Sequence, residues 1–274
     1  MSRIVTLTAA GAIDATYRVA SLRPATFTRA DSYAREVSGK GVNVSAALAA
    51  GGADTAAVVV LGADDVRFAR CGLTAPLLRI VEVPGATRVN TSIVDAVGAT
   101  TKVNAPTPPL SKQAWDATVA VLREELSTRG DAWLVISGSL PELADTGAIV
   151  DLGGVRDLAR ELGARVAVDT SGAALDALLA DPAGIDLLTP NVDELAAAVG
   201  RPLATIGDVV VAAREVVARG VQTVLASMGA DGLLAVTAER AVFACADAPY
   251  VANTAGAGDA ALAGFLLGLT RAPA

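Results

Sequence analysis

The sequence predicts an α/β fold: a mostly parallel central sheet covered by helices on both faces, with a small additional β-sheet. Three observations carry this. From Trp133 onward, short β-rich runs and helical stretches alternate, as in successive strand–helix–strand units. Strand candidates such as Ala56 to Leu61 are continuous apolar runs, as strands buried on both faces require. Two early regions instead mix polar and apolar residues, one of them around Gly98, as exposed hairpins do.

The elements follow in order. Ile4 to Thr8 reads as the first strand, and Asp14 to Ala20 and Thr26 to Val37 as strands of the small sheet. Val42 to Ala50 is helical by composition and stopped by Gly51-Gly52. Ala56 to Leu61 is a strand, Asp64 to Thr74 a helix and Leu78 to Val83 a strand. Thr87 to Val94 and Thr100 to Asn104 complete the small sheet, whose strands come from about 14–37 and 87–105. Pro106, Pro108 and Pro109 mark a loop, and Ser111 caps a helix running to about Thr128. Strands follow at Trp133 to Ser137, Arg165 to Asp169, Ile185 to Leu188 and Gln222 to Ala226. Helices are expected at Val150 to Leu162, Ala173 to Ala180, Val192 to Val199 and Asp208 to Ala218. Leu233 to Val236 and Ala241 to Ala244 form a hairpin, and Ala260 to Leu269 a buried helix. The whole, residues 1–274, is expected to be one domain.

Composition narrows the chemistry. The core must be built from Ala, Val, Leu and Ile, since hydrophobic residues make up 53% and aromatics only 3%. No apolar segment reaches membrane-spanning length and the N-terminus lacks the pattern of a signal peptide, so no membrane partner is expected. Cys71 and Cys245 make neither a disulfide framework nor a metal spacing, which points to a reducing cytoplasm. The formal net charge is −7 with no basic run, which argues against nucleic acid as a partner. An anionic substrate would be bound by a few placed Arg or Lys side chains and by backbone N–H groups. There is no histidine, so acid–base work falls to carboxylates, Lys, Tyr or Cys.

The most informative run is Asn253-Thr254-Ala255-Gly256-Ala257-Gly258-Asp259, just before the last apolar stretch. A small-residue turn opening a helix aims free N–H groups and the positive end of the helix dipole at one point. Asp259 lies at that point. Asp is a common first-turn residue, yet an anion-binding turn with an acid in its mouth also suits a phosphate held for transfer beside a base. Gly256-x-Gly258-x-x-Ala261 also fits a loose dinucleotide fingerprint. That fingerprint calls for an acid about twenty residues on, and the sequence stops at Ala274. There is no G-x-x-x-x-G-K-[ST].

In such sheets ligands lie beyond the carboxyl ends of the strands. Asp14, Ser137-Gly138-Ser139, Asp169-Thr170-Ser171-Gly172, Pro190-Asn191-Val192-Asp193-Glu194 and Ser227-Met228-Gly229-Ala230-Asp231-Gly232 all fall there. Each is an ordinary turn or helix cap taken singly. Five along one edge describe a site.

The order of these pieces resembles the ribokinase-type, or PfkB, carbohydrate kinase family over essentially the whole chain. Asn253 to Leu266 is similar to the family's C-terminal signature, and Ser38-Gly39-Lys40-Gly41-Val42-Asn43 stands at its N-terminal one. Gly85-Ala86-Thr87-Arg88-Val89-Asn90 and Ser137-Gly138-Ser139-Leu140-Pro141 resemble its sugar-phosphate branch. The resemblance implies a ribokinase-like fold with the small sheet as a lid. It implies ATP- and Mg²⁺-dependent phosphorylation of a ketohexose phosphate: fructose 1-phosphate first, with tagatose 6-phosphate and fructose 6-phosphate as alternatives. Asp259 then matches the catalytic base, and Gly256, Ala257 and Gly258 the anion hole. Asp14, Gly39, Asn43, Asn90 and Ser139 match the substrate site. Lys40, Arg88 and Arg29 are the candidates for the phosphate already on the sugar. Asn191, Glu194, Ser227, Gly229, Gly232 and Thr254 match the nucleotide site, with Glu194 positioning Mg²⁺ through water. A homodimer through the lid is expected.

Four features depart from the family pattern. Ser38 replaces a glycine and would be strained by about 1–2 kcal/mol if that position needs positive φ. Ala9-Ala10-Gly11 replaces Pro-Asn-Pro, and Thr189 replaces a lysine. The C-terminal end is shorter than in relatives, whose tails help wall the adenine site. These departures make a non-catalytic sugar-phosphate or nucleotide sensor the alternative of another class.

Overall fold

The computed structural model describes residues 2–128, 131–247 and 256–271. Its framework is a nine-stranded sheet. In chain order the strands are β1 (Arg3–Thr8), β4 (Thr55–Gly62), β5 (Leu78–Val83), β8 (Ala132–Ser137), β9 (Arg165–Asp169), β10 (Leu187–Leu188), β11 (Thr223–Ser227), β12 (Leu233–Val236) and β13 (Ala241–Ala244). The spatial order is β13-β12-β11-β10-β9-β8-β1-β4-β5, parallel from β11 to β5 with an antiparallel hairpin at the other edge.

The continuous apolar runs are explained by what covers each face. Along β4, Val58 and Val60 enter one core and Ala57, Val59 and Leu61 another. Along β8, Leu134 and Ile136 face the first core while Trp133 and Val135 face the opposite side. The first core is closed by α3 (Lys112–Leu126), α4 (Leu152–Glu161), α5 (Ala173–Ala180), α6 (Val192–Val199) and α7 (Ile206–Ala218). The other face is closed by α1 (Lys40–Ala50), α2 (Ala63–Ala69) and α8 (Ala257–Arg271). Among the described residues, no helix is long and apolar enough to cross a membrane.

A second, four-stranded sheet has the order β3-β2-β6-β7, from β2 (Ala12–Arg18), β3 (Ser32–Ser38), β6 (Val89–Val94) and β7 (Thr100–Asn104). The β2/β3 and β6/β7 pairs are antiparallel, and β2 and β6 join them in parallel.

Two expected elements end differently. The helix expected over Asp64 to Thr74 stops at Ala69, and a short 3₁₀ turn follows at Ala75–Leu77. Gly72, a poor helix former, lies just past the end, and Pro76 sits within the first turn of the 3₁₀ segment, where its missing N–H needs no partner. The strand expected from Thr26 begins only at Ser32. The loop before it turns through Ala25, held at a φ of 61°.

In the large sheet the chain steps from β1 outward to β4 and β5, then returns to β8 on the other side of β1. That reversal leaves a crevice beyond the carboxyl ends of β1 and β8, where doubly wound sheets bind ligands.

Candidate active site

A cavity of about 370 Å³ occupies that crevice, roofed by the small sheet. The N-terminal turns of α1, α6 and α8 all border it: Gly39 and Lys40 from α1, Asn191 and Glu194 from α6, Gly256, Gly258 and Asp259 from α8. Three converging helix N-termini concentrate positive dipole ends and unpaired N–H groups on one space. A chain of net charge −7 can hold an anion there.

α1 is fixed by buried hydroxyls. Thr6 Oγ1 donates to the Gly41 carbonyl at 2.7 Å and meets Ser45 Oγ at 2.9 Å, while Val42 N–H donates to Thr8 Oγ1 at 3.2 Å. Gly39 makes this close approach possible. Its φ is 138°, and a Cβ there would lie 2.4 Å from Thr8 Cγ2. The same turn of α1 presents Lys40 and Asn43 to the cavity.

Asp259, in the first turn of α8, is 6% exposed and accepts a hydrogen bond from Asn43 Nδ2 at 2.9 Å. Burial pushes its carboxyl above the usual range, and the nearby Asp169 and Asp14 add to this. The Asn43 hydrogen bond and the Lys40 charge pull the other way. Gly256 opens the helix with a φ of 76° and accepts from Ala260 N–H at 2.8 Å.

Lys40 Nζ bonds Asp169 Oδ1 at 2.9 Å, and Ser137 Oγ donates to Asp169 Oδ2 at 3.2 Å. Burial works against the Lys40 ammonium, but Asp169, Glu194 and Asp259 outweigh it and raise its pKa. Asp169 does not cap α5, whose N-cap is Gly172; it stands in the cavity wall.

On the roof, Asp14 is gripped by two donors: Ser38 Oγ at 2.7 Å and Asn90 Nδ2 at 3.1 Å. Ser38 is not strained as its replacement of glycine suggested. Among the described residues, Ala25 is the only non-glycine with positive φ; Ser38 ends β3 in extended backbone and supplies a hydroxyl to Asp14. The Asn90 Oδ1 atom is buried with no partner, while the residue itself lines the cavity. Arg88 lines the cavity, but its donors go to the carbonyls of Ala10, Gly11 and Ala105 and to Thr107 Oγ1. Burial lowers the Arg88 pKa and the Asp14 charge opposes this. Arg29 stays outside the cavity lining, in the β2–β3 loop.

Asn191 and Glu194 form a reciprocal cap on α6: Glu194 N–H donates to Asn191 Oδ1 at 2.8 Å, and Asn191 N–H to Glu194 Oε2 at 2.9 Å. Beyond them lies a second cavity of about 820 Å³ that shares Asn191 and Ser227 with the first. Leu203, Ile206, Val209, Met228 and Phe243 give it an apolar wall, and Gly229 lines it too. Gly232 borders an adjoining hollow with Ala257 and Gly258; its φ is 102°, and a Cβ there would meet the Ala244 carbonyl at 2.4 Å. Ser139 lines the first cavity. Thr254 lies outside the described residues.

Thus the cavity brings together Asp14, Gly39, Lys40, Asn43, Arg88, Asn90, Ser139, Asn191, Glu194, Ser227, Gly256, Gly258 and Asp259. It adds Thr8, Ser38 and Lys102, which sequence reasoning did not assign to the site, and it includes Asp169, one of the strand-end residues expected along this edge. The strand-end position of Asp169 was the available signal. Lys102 gave none beyond its place in an exposed strand.

A doubly wound sheet with a buried acid in the first turn of a glycine-opened helix, facing a roof that carries Asp14 and Asn90, has the make-up of a small-molecule phosphotransferase. The chain belongs to the pfkB family of carbohydrate kinases, whose model matches residues 1–272. It is 39% identical over 270 residues to the 1-phosphofructokinase of Rhodobacter capsulatus, covering 96% of this chain and 83% of that protein. Against the 1-phosphofructokinase of Haloferax volcanii it is 37% identical over 266 residues, with the same coverage of 96% and 83%. The solved structure of the tetrameric inhibited form of phosphofructokinase-2 from Escherichia coli superposes with a TM-score of 0.86 at 32% identity, over 99% of this chain and 88% of that one.

Proposed function

We propose that this chain transfers the γ-phosphoryl group of ATP to a hydroxyl of fructose 1-phosphate, yielding fructose 1,6-bisphosphate and ADP. The observation that carries this is the placement of Asp259. It is a buried carboxylate in the first turn of α8, within one cavity with Asp14 and Asn90 on the roof. The names of the relatives support the choice of sugar phosphate.

Asp14, held by Ser38 and Asn90, accepts hydrogen bonds from sugar hydroxyls and so orients the ring. Asp259 takes the proton of the attacking hydroxyl as its oxygen bonds to the γ-phosphorus and the bond to the ADP oxygen breaks. Backbone N–H groups of Gly256, Ala257 and Gly258 meet the charge on the transferring group, each donor worth about 3 kcal/mol in a dry site. Lys40, held by Asp169 near Asp259 and Glu194, adds a fixed positive charge on the same side. The apolar wall of the second cavity suits the adenine, with the triphosphate running past Ser227 and Asn191.

Glu194 fits a divalent cation held through water, because its Oε1 remains open while Oε2 closes the α6 cap. When bound, Mg²⁺ would neutralise phosphate charge there.

The small sheet acts as the lid. It exposes Tyr17, Tyr33, Val89 and Val103, which we assign to a homodimer contact. Cys71 and Cys245 are free thiols, in keeping with a cytoplasmic setting.

The test is ADP formation from Mg·ATP with fructose 1-phosphate, fructose 6-phosphate, tagatose 6-phosphate and free fructose, each against a sugar-free blank. Strongest stimulation by fructose 1-phosphate is expected. Stimulation by another sugar alone changes the substrate, and none above the blank favours a sensor.

A further inference from the structure

The cavity is lined by three cationic side chains, Lys40, Arg88 and Lys102. Two are already engaged. Lys40 is paired with Asp169, and Arg88 spreads its donors over three backbone carbonyls and a hydroxyl. Lys102 is exposed and, among the described residues, has no ion pair or side-chain hydrogen bond.

Strand register fixes where Lys102 points. In the β6/β7 pair Asn90 stands opposite Asn104 and Ser92 opposite Lys102. Opposed residues of antiparallel strands share a face, and so do residues two apart. Lys102 therefore lies on the face of Asn90, which reaches into the cavity to bind Asp14. Four carboxylates, Asp14, Asp169, Glu194 and Asp259, line the same space. A substrate bringing its own phosphate needs an uncommitted cation to offset them, and on the roof Lys102 supplies it.

We propose that Lys102 is the ammonium that binds the phosphate already carried by the sugar, so that the lid selects phosphorylated over free sugars. The assignment rests on the sugar-phosphate kinase reading and names the residue that reads this part of the substrate. Lysine chemistry fits the role, because a compact charge on a flexible stem finds a phosphate without the fixed geometry a bidentate arginine needs.

The experiment compares wild type with Lys102→Ala, Lys102→Glu and Lys102→Arg in steady-state kinetics on fructose 1-phosphate at saturating Mg·ATP, at two ionic strengths. Lys102→Glu should raise the KM for fructose 1-phosphate about tenfold or more, since like charges then face each other. Lys102→Ala should raise it less and flatten its salt dependence, and Lys102→Arg should restore it to within about threefold. The KM for ATP and kcat should hold, which a merely structural role for this exposed residue would not separate. A fructose 1-phosphate KM within about twofold of wild type in Lys102→Glu overturns the assignment alone. A wild-type chain that neither binds nor turns over any of the sugar phosphates overturns the assignment together with the function it rests on.

Discussion

Replacing Asp259 by Asn removes the proposed base and leaves almost everything else in place. The amide has the size of the carboxyl, its oxygen can still accept from Asn43 Nδ2, now at 2.9 Å, and the N–H groups opening α8 are untouched. A positioned general base is worth about 10²–10⁴ in rate. The kcat should fall by that factor, roughly 3–5 kcal/mol of barrier at 1.36 kcal/mol per decade. Both substrates should still bind, with KM values within about threefold, because binding does not depend on the proton transfer. Stability should move the other way. Burial raises the Asp259 pKa, so the folded chain holds that proton more tightly than the unfolded one. Its contribution is full below the unfolded-state pKa and is lost as pH rises through the folded-state value. Above the folded-state pKa the wild type carries a desolvated carboxylate that the variant lacks. Asp259→Asn should melt higher at neutral pH, by a margin that shrinks as the solution is acidified. ADP-coupled initial rates, ligand-induced melting shifts and melting curves across pH check the three statements. Turnover within tenfold of wild type would refute Asp259 as the base.

Two further outcomes follow from the same contacts. The Asn43 hydrogen bond lowers the Asp259 pKa, so Asn43→Ala should move the acid limb of the kcat/KM profile to higher pH; an unmoved limb would mean that another group sets it. Far from the site, the mostly buried Glu125 joins Arg3 to Arg79, with Arg79 Nε at 2.7 Å. Glu125→Ala strips one partner from the half-buried Arg3, which keeps Asp54, and should cost about 3 kcal/mol in urea unfolding, while a loss under about 1 kcal/mol would show the pair to be idle.

Where local chemistry decides, the fold was legible. Arg165–Asp169, Ala173–Ala180, Val192–Val199 and both hairpin strands, Leu233–Val236 and Ala241–Ala244, have the bounds their periodicity and caps imply. The turn at Gly256 and the acid at Asp259 were legible for the same reason, a glycine at positive φ followed by an apolar helix. What stayed hidden was pairing across the chain. Lys40 and Asp169 are 129 residues apart, and only the β1/β8/β9 arrangement brings them together. Arg88 advertised a free guanidinium, yet the loop carbonyls of Ala10, Gly11 and Ala105 absorb its donors. The Ser38 substitution looked like backbone strain because φ cannot be read from residue type; in the fold it is a hydrogen-bond donor to Asp14.

The central claim is phosphoryl transfer to a sugar that already bears a phosphate, and product analysis tests it most directly. The chain would be incubated with Mg·ATP and fructose 1-phosphate and followed by phosphorus NMR. The account predicts a product with two phosphomonoester signals in equal amount, growing as the γ-phosphate of ATP disappears, and absent with Asp259→Asn. Inorganic phosphate as the only new signal, or an unchanged spectrum, would contradict it.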